Sequence, residues 1–418
     1  MAEYKHFQRQ IIGKKFKKNT VFDVSIAIPD VPGPYALCIS HDSYNDAEEK
    51  AMLMLAEENK APYAVCIGVY AGCLKTANGT ERFMRCDDYD LFNREYGDFL
   101  VYELIPSLSE EFNLDIVPSP DYHYISGGSS GGMSAMTVSW FHNEYFRRAF
   151  LSSPSFMSMG RGNEFPNYIR KCETKPIRLY VEYSENEPDE YYGSIYLASI
   201  EGIKALEYAG YDIQTDYFPG ENHCSRNFGH FDDAYKRLEF IWKDYKDKPI
   251  TAPRNSARID VVVDINSKWE KTDVKCLKEE PEFSVFSSDK QLKYYANPID
   301  DMAYKCLSDD ETTTYIHGML HTLPGIYPKG AIDLAVDEED RLYCLTMAGI
   351  QTVRSFGLID VILDLPDDSK PYLMYFGKNT YDKDYLYVKT EEGFYRRKLK
   401  NKGAGTEPTP PKHTEYYD

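Results

Sequence analysis

A glycine- and serine-rich turn, residues 127–132 (GGSSGG), separates a β-prone run at 122–126 from an apolar stretch with several small residues at 133–141. A strand, a tight turn carrying G-x-S-x-G, and a helix form the nucleophile-elbow pattern. Such a turn strains the serine backbone and leaves no room for side chains at the flanking glycines. The serine hydroxyl then stands at the end of the strand, and the next N–H faces a developing oxyanion. The pattern predicts a serine nucleophile for acyl transfer.

Two registers of the pentapeptide overlap, one centred on Ser129 and the other on Ser130. The Ser129 register leaves two small residues, Gly132 and Ala135, where the helix must pack against the sheet. We therefore take Ser129 as the nucleophile and keep Ser130 as the alternative. A glycine- and serine-rich loop without chemistry would contain the same pentapeptide, so the interpretation depends on finding partners for the serine.

A histidine and a carboxylate must accompany the serine, because its hydroxyl becomes nucleophilic only when an oriented imidazole takes its proton. In α/β-hydrolases the order along the chain is serine, acid, histidine. His223 lies in a turn-rich loop after the last predicted strand and is the predicted base. His142 falls within the helix after the turn, and His230 falls at a predicted helix start, so both are weaker candidates.

Four carboxylates occupy a seven-residue loop, 184–190, after the strand predicted at 177–183. Glu187 and Asp189 are the best placed of them, and Glu185 is a further candidate. We take Glu187 as the acid and keep Asp189 as the alternative, because either carboxylate can orient an imidazole.

Two backbone N–H groups are expected to stabilise the oxyanion of such a site. The first is that of Ser130, immediately after the nucleophile. The second belongs to the loop after the strand predicted at 35–40, at Asp42 or Ser43. This chemistry requires neither a metal ion nor an organic cofactor.

Short apolar runs typical of buried strands alternate with helical periodicity over the first 250 residues. The strands are predicted at 35–40, 63–70, 150–154, 177–183 and 211–218, and the helices near 47–59, 91–112, 194–209 and 231–246. This alternation predicts an α/β fold, with a mostly parallel sheet covered by helices on both faces. Ser129 then lies at the carboxyl end of a strand, where such sheets bind their ligands.

The composition changes after Pro249, where the alternation of strands and helices ends. We expect an α/β domain over 1–250, a linker over 251–281 with a strand in the alternating run 258–264, and a smaller all-β domain over 282–400. The tail over 401–418 contains a proline-rich stretch and is expected to be disordered.

The net charge of −19 makes nucleic acid and anionic membranes poor partners, because both would repel the chain. No apolar run approaches about 18 residues, so no membrane span is expected. The first residues lack the apolar region of a signal peptide. The nine cysteines show neither C-x-x-C nor zinc spacing, which favours free thiols in a reducing cytoplasm.

Residues 20–247, taken with these motifs, resemble the putative-esterase family of α/β-hydrolases that includes enterochelin esterase, feruloyl esterases and esterase D. The matching residues are His41-Asp42, the stretch from Arg85 through Asp88-Tyr89-Asp90 to Pro106, the turn at 127–132 with Ala135, residues 202–212 and residues 220–223. The resemblance implies a serine esterase with Ser129 as nucleophile, His223 as base and Glu187 as acid. It implies a small-molecule substrate, namely an ester of an aromatic acid, an acylated sugar or a siderophore-like lactone.

Two residues depart from the family pattern. Ser43 stands where members usually carry glycine after His-Asp, which puts the shape of the oxyanion loop in question. Glu187 replaces the commoner aspartate, which keeps Asp189 as a candidate. A decayed esterase that serves as a binding or scaffold protein would account for both departures, and this is one alternative function.

The C-terminal residues resemble part of a regucalcin- or gluconolactonase-type β-propeller. Residues 331–353 are similar to one blade, 381–397 to the outer part of a second, and 282–318 to a third. About three blades do not close a ring, so the exposed edges should dock on the α/β domain or form a homo-oligomer. A metal-dependent lactonase is the other alternative function that this resemblance implies. The Pro-Asp-Gly turn of its metal-binding aspartate is missing, however, and only Asp333 lies nearby.

Overall fold

The computed structural model describes residues 2–42, 45–226, 230–264, 266–379 and 381–404. The chain forms two compact units. Met1–Asn167 and Thr174–Pro253 make up the first, and Tyr168–Glu173 and Arg254–Asp418 make up the second. The limits predicted for the domains and the linker stay predictions, and the predicted tail lies outside the described residues from position 405 onward.

Twelve strands lie in the described part of the first unit. They are β1 (Tyr4–Ile12), β2 (Thr20–Pro29), β3 (Ala36–His41), β4 (Ala64–Val69), β5 (Cys73–Lys75), β6 (Glu81–Phe83), β7 (His123–Gly128), β8 (Arg148–Ser152), β9 (Arg178–Asn186), β10 (Asp189–Glu190), β11 (Gly193–Ser194) and β12 (Asp212–Asn222). Ten of them form one sheet in the order β12-β9-β8-β7-β3-β4-β2-β5-β6, with β1 paired to β2, and β10 and β11 form a separate hairpin.

The α-helices of the described residues are α1 (Asp46–Glu57), α2 (Glu95–Phe99), α3 (Ile105–Phe112), α4 (Ser130–Phe141), α5 (Phe165–Lys171), α6 (Ile195–Tyr208), α7 (Phe231–Trp242) and α8 (Ala257–Val262). The helix predicted over 91–112 is interrupted by a π-helical turn, Leu100–Leu104, between α2 and α3. Pro106 explains this difference, because it has no N–H to donate to the preceding turn and its ring needs the wider π-helical turn.

Six neighbouring strands, β12, β9, β8, β7, β3 and β4, run parallel. β3 and β4 are buried along their whole length, which explains their continuous apolar sequences. Helices α1 and α7 pack together over a core that includes Cys38, Tyr124 and Phe150. The predicted α/β-hydrolase fold is therefore confirmed. No helix in the described ranges is long and apolar enough to cross a membrane.

The described residues of the second unit form three antiparallel sheets of four strands each. Their strands are β13 (Glu270–Lys271), β14 (Ser284–Phe286), β15 (Leu292–Ala296), β16 (Met302–Leu307), β17 (Tyr315–Met319), β18 (Asp333–Val336), β19 (Leu342–Thr346), β20 (Gly349–Val353), β21 (Ile359–Leu363), β22 (Pro371–Phe376), β23 (Tyr385–Thr390) and β24 (Phe394–Lys398). β14–β17 form one sheet, β18–β21 the next, and β13 joins β22–β24 in the third. The predicted all-β region is confirmed, whereas its likeness to propeller blades stays a prediction.

The alternating run at 258–264, predicted as a strand of the linker, is helical as far as Val262. It forms α8, and the strand of this segment is the two-residue β13 further along. Apolar residues in this run fit both periodicities. The structure buries Ile259 and Val262 in the core of the second unit and leaves Val261 between them 37% exposed, which is a helical rather than an alternating pattern.

Candidate active site

Ser129 occupies the strained position of the turn between β7 and α4, with φ 56° and ψ −123°. A positive φ is uncommon outside glycine. The glycines around it are required sterically, because a Cβ on Gly127 would overlap the carbonyl of Gly131, and a Cβ on Gly131 would lie 3.0 Å from that of His41. Ser130, the alternative nucleophile, is instead the first residue of α4 and is buried. The strained turn therefore holds Ser129 rather than Ser130.

Glu187 and His223 meet because they follow two neighbouring parallel strands. β9 ends at Asn186 and β12 ends at Asn222, and these two residues are partners across the sheet. Glu187 and His223 come next in the chain, and Oε2 of Glu187 is hydrogen-bonded to Nδ1 of His223. The Glu187 side chain is fully buried, and 26% of the His223 side chain is exposed. The register of the sheet brings the predicted acid and the predicted base together.

The other candidates lie apart from this pair. Asp189 is exposed in β10, and Glu185 accepts a hydrogen bond of 2.7 Å from the backbone N–H of Gly220. His142 caps the C-terminal end of α4 and is buried, and His230 is the N-cap residue of α7. Within the described ranges, none of the four predicted candidates is hydrogen-bonded to Ser129 or His223.

Three donors hold the Glu187 carboxylate. Oε2 contacts His223, and Oε1 accepts hydrogen bonds from the Ser153 hydroxyl and, at 2.9 Å, from the Ser184 N–H. Burial alone would raise the pKa of Glu187, but the hydrogen bonds from His223, Ser153 and Ser184 outweigh it and leave the pKa below its ordinary value. Glu187 is therefore a carboxylate at neutral pH, as a group that stabilises an imidazolium must be.

Two neighbours act on the pKa of His223. Burial of the ring lowers this pKa, whereas the contacts with Cys224 and Glu187 raise it, and the net pKa lies above the ordinary histidine value. The Cys224 sulfur is 3.6 Å from Nε2 and 3.7 Å from the carbonyl oxygen of Ser152. Because only a neutral imidazole accepts a proton, the raised pKa moves the basic form of His223 to higher pH.

The Ser129 hydroxyl is 3.3 Å from the Ser155 hydroxyl. The N–H of Ser129 donates to the Ser152 carbonyl at 2.8 Å, and the N–H of Ser155 donates to the Ser129 carbonyl at 3.2 Å. Among the described side chains, Ser129 therefore contacts Ser155, while Nε2 of His223 contacts Cys224. A hydrogen bond between serine and histidine often tightens only when substrate binds.

Three further side chains border these residues and were not predicted from the sequence, namely Ser153, Ser155 and Cys224. The available signal was the position of residues 152–155, which follow the buried strand β8. Since β8 lies between β7 and β9, the residues after it must reach the same edge of the sheet as Ser129 and Glu187.

The predicted oxyanion donors differ in availability. As the first residue of α4, Ser130 has an N–H without an intrahelical acceptor. The Asp42 N–H donates to the Val69 carbonyl at 2.9 Å, which engages it elsewhere, and the Asp42 carboxylate pairs with Arg85. Ser43 lies outside the described residues.

A metal site is not apparent in the described parts of either unit, where no three His, Cys, Asp or Glu side chains converge. Asp333 is fully buried in the second unit. Its carboxylate accepts hydrogen bonds from the Lys278 ammonium and from the N–H groups of Glu282, Leu334 and Met374. These donors give Asp333 a structural role in joining strands.

Comparison with known proteins places the α/β residues in one family. A family model described as "Putative esterase" matches residues 32–271. Among solved structures, a ferulic acid esterase is 15% identical, with a TM-score of 0.44 over 57% of this chain and 98% of that one. The siderophore hydrolase EstB from Aspergillus nidulans is 16% identical, with a TM-score of 0.42 over 59% and 96% of the two chains. No curated protein shows a significant match.

The family model covers more than half of the chain, and its matched region contains the elbow at 127–132, Glu187 and His223. The expected resemblance to the esterases is thereby confirmed, and with it an enzyme of the carboxylesterase type. The chain belongs to the putative esterase family of α/β-hydrolases.

Proposed function

We propose that the protein hydrolyses carboxylic esters by attack of Ser129, with His223 as general base and Glu187 as the acid that orients it. The observation that carries this proposal is the hydrogen bond between the buried Glu187 and His223, which lies at the same sheet edge as the strained Ser129 turn. Strands β7, β9 and β12 are parallel members of one sheet, so their carboxyl ends bring the three residues to one edge.

In the first step, the Ser129 hydroxyl turns from Ser155 towards Nε2 of His223. His223 takes the proton while Ser129 Oγ bonds to the ester carbonyl carbon, and the Glu187 carboxylate stabilises the imidazolium that forms. The imidazolium then protonates the leaving alcohol oxygen as the ester C–O bond breaks. Water attacks the acyl-enzyme with His223 again as base, which releases the acid and restores Ser129.

The charge that develops on the carbonyl oxygen needs donors near Ser129. The N–H of Ser130 supplies one, because the first turn of α4 has free N–H groups and the positive end of the helix dipole. With the Asp42 N–H engaged by Val69, we assign the second donor to Ser43. Each such donor contributes a factor of about 10²–10³ in kcat.

The substrate that we propose is a small-molecule ester of the hydroxycinnamoyl, acyl-sugar or siderophore-like type, which rests on the family resemblance. The net charge supports neither nucleic acid nor an anionic membrane as a partner. All nine cysteines are free thiols, which supports a reducing cytoplasm. Because exposed β edges are expected in the second unit, we also propose that the protein forms a homo-oligomer through this unit.

The experiment is intact-protein mass spectrometry after incubation with a fluorophosphonate, on the wild type, Ser129→Ala and Ser130→Ala. We expect a single adduct on the wild type and on Ser130→Ala, and none on Ser129→Ala. Ser130→Ala is the matched control, because it retains the backbone N–H proposed as oxyanion donor. An adduct lost only in Ser130→Ala would transfer the nucleophile to that residue.

The same experiment separates the alternative functions. Folded wild type without any adduct would refute the serine mechanism. Lactone hydrolysis that EDTA abolishes would then favour the metal-dependent lactonase, and the absence of all turnover would favour the scaffold. With an adduct in hand, a panel of hydroxycinnamoyl, acyl-sugar and trilactone esters identifies the substrate class from kcat/KM.

A further inference from the structure

Ser153 has an unusual backbone conformation for a buried serine. It follows β8 directly, has φ 43°, and is 1% exposed. A non-glycine residue in this region costs free energy, and such strain persists only where surrounding contacts impose it. The N–H of Ser153 supplies one of these contacts, because it donates to the Glu182 carbonyl at 2.8 Å and extends the pairing of β8 with β9 by one residue.

This conformation directs the Ser153 hydroxyl at the Glu187 carboxylate. The two oxygens of that carboxylate have different partners. Oε1 is held by the Ser153 hydroxyl and the Ser184 N–H, whereas Oε2 is left for Nδ1 of His223. Because the carboxylate is fully buried, no solvent can replace a lost donor without rearrangement.

The preceding residue anchors the segment. The Ser152 hydroxyl donates to Oε1 of Glu182 at 2.8 Å, and Ser152 and Glu182 are both nearly fully buried. The Ser152 carbonyl in turn accepts the N–H of Ser129. Ser152 and Ser153 therefore contact the backbone of the nucleophile on one side and the side chain of the acid on the other.

We propose that Ser153 is a positioning residue that holds Glu187 in the orientation needed to align His223. It acts through Glu187 and has no contact with His223 in the described structure. The proposal rests on the proposed function, since it gives Ser153 a role in the triad. Removing the hydroxyl leaves the carboxylate with one donor fewer on Oε1 and allows it to turn away from Nδ1.

The first test compares the kinetics of Ser153→Ala with those of Ser139→Ala. Ser139 is a matched control, because it is fully buried and its hydroxyl has no hydrogen-bond partner among the described residues. We expect kcat/KM of Ser153→Ala to fall by about tenfold to a hundredfold, the value of one hydrogen bond to a charged group. The fall should lie in kcat, with KM nearly unchanged, while Ser139→Ala stays close to the wild type.

A double-mutant cycle separates positioning from a general structural effect. In a Glu187→Gln background, Ser153→Ala should cause little further loss, because the group through which it acts is already replaced. Ser153→Gly provides a second variant, since glycine tolerates the positive φ and lacks the hydroxyl. Equal losses from Ser153→Ala in both backgrounds, or full activity of Ser153→Gly, would overturn the proposal.

An NMR measurement tests the inference without turnover. The proton between Nδ1 of His223 and Glu187 should give a downfield resonance in the wild type. In Ser153→Ala this resonance should shift, and its proton should exchange faster with solvent. In Ser139→Ala both the resonance and the exchange rate should be unchanged. An unchanged resonance in Ser153→Ala would refute positioning by Ser153. A changed resonance in a protein that no fluorophosphonate labels would support the positioning and refute the proposed function.

Discussion

Replacement of Glu187 by glutamine tests which carboxylate of the loop at 184–190 is the acid. Glutamine preserves the shape of the buried side chain and removes its charge. Its carbonyl oxygen can still accept from Ser153 and Ser184, which leaves the amide NH₂ facing Nδ1 of His223. The imidazole must then accept at Nδ1 and carry its proton on Nε2, where the proton of Ser129 has to arrive.

The size of the effect follows from the contact between Glu187 and His223. A carboxylate and an imidazolium about 4 Å apart attract each other by about 4 kcal/mol at an effective dielectric constant of about 20. Since about 1.4 kcal/mol changes a rate tenfold, loss of the charge lowers kcat by roughly a thousandfold. The wrong tautomer of His223 adds to this loss, so the total decrease in kcat approaches about ten-thousandfold. Because Glu187 is fully buried while 26% of the His223 side chain is exposed, solvent screens this interaction only in part.

The assay is the hydrolysis of a p-nitrophenyl ester across pH, with the rate of fluorophosphonate labelling measured in parallel. Asp189→Asn and Glu185→Gln are the matched controls, because they remove the charges of the other two candidates in the loop. We expect both controls to keep most of the wild-type kcat. Glu187→Gln with a kcat within tenfold of the wild type, together with an inactive Asp189→Asn, would refute the assignment of the acid.

Three further predictions concern single side chains. Cys224→Ala removes a contact that raises the pKa of His223, so the acidic limb of the pH–rate profile should move to lower pH; an unmoved limb would show that the thiol has no such effect. Burial raises the pKa of Glu182 to about 7, so the folded chain binds the proton of this carboxyl group more tightly than the unfolded chain does. Ionisation of Glu182 therefore lowers the stability of the fold increasingly between about pH 4.5 and pH 7. The stability of Glu182→Gln relative to wild type should therefore rise over this interval, by at most about 3 kcal/mol in urea unfolding, and a flat difference would contradict it. Arg397 donates two hydrogen bonds to the buried Glu173 carboxylate. Arg397→Ala leaves this carboxylate without that partner and should destabilise the second unit by about 3–5 kcal/mol. A loss below about 1 kcal/mol in urea unfolding would contradict a stabilising role of this ion pair.

Much of the candidate site could be predicted because its signals are local. The glycines at 127–132 are needed by a turn that only a few residue types can form, so the elbow is visible in the sequence itself. The alternation of buried strands and helices places Glu187 and His223 in loops that follow strands of a parallel sheet. Their roles stay predictions, but the geometry that those roles need is present in the fold.

Other features depend on which side chains meet across the chain. The run at 258–264 fits a strand and a helix equally well, and only the core that buries Ile259 and Val262 selects the helix. Pro106 interrupts the predicted helix through a local steric effect, but the π-helical turn before it keeps Leu100 and Leu104 buried.

The α/β fold and the strained serine turn could be predicted from the sequence alone, because each depends on neighbouring residues and their periodicity. That Glu187 rather than Asp189 meets His223 depends on the folded sheet, since it follows from the pairing of Asn186 with Asn222 across β9 and β12. The contact of Ser153 with Glu187 likewise depends on the fold. That contact joins residues 34 positions apart, and no local pattern encodes it.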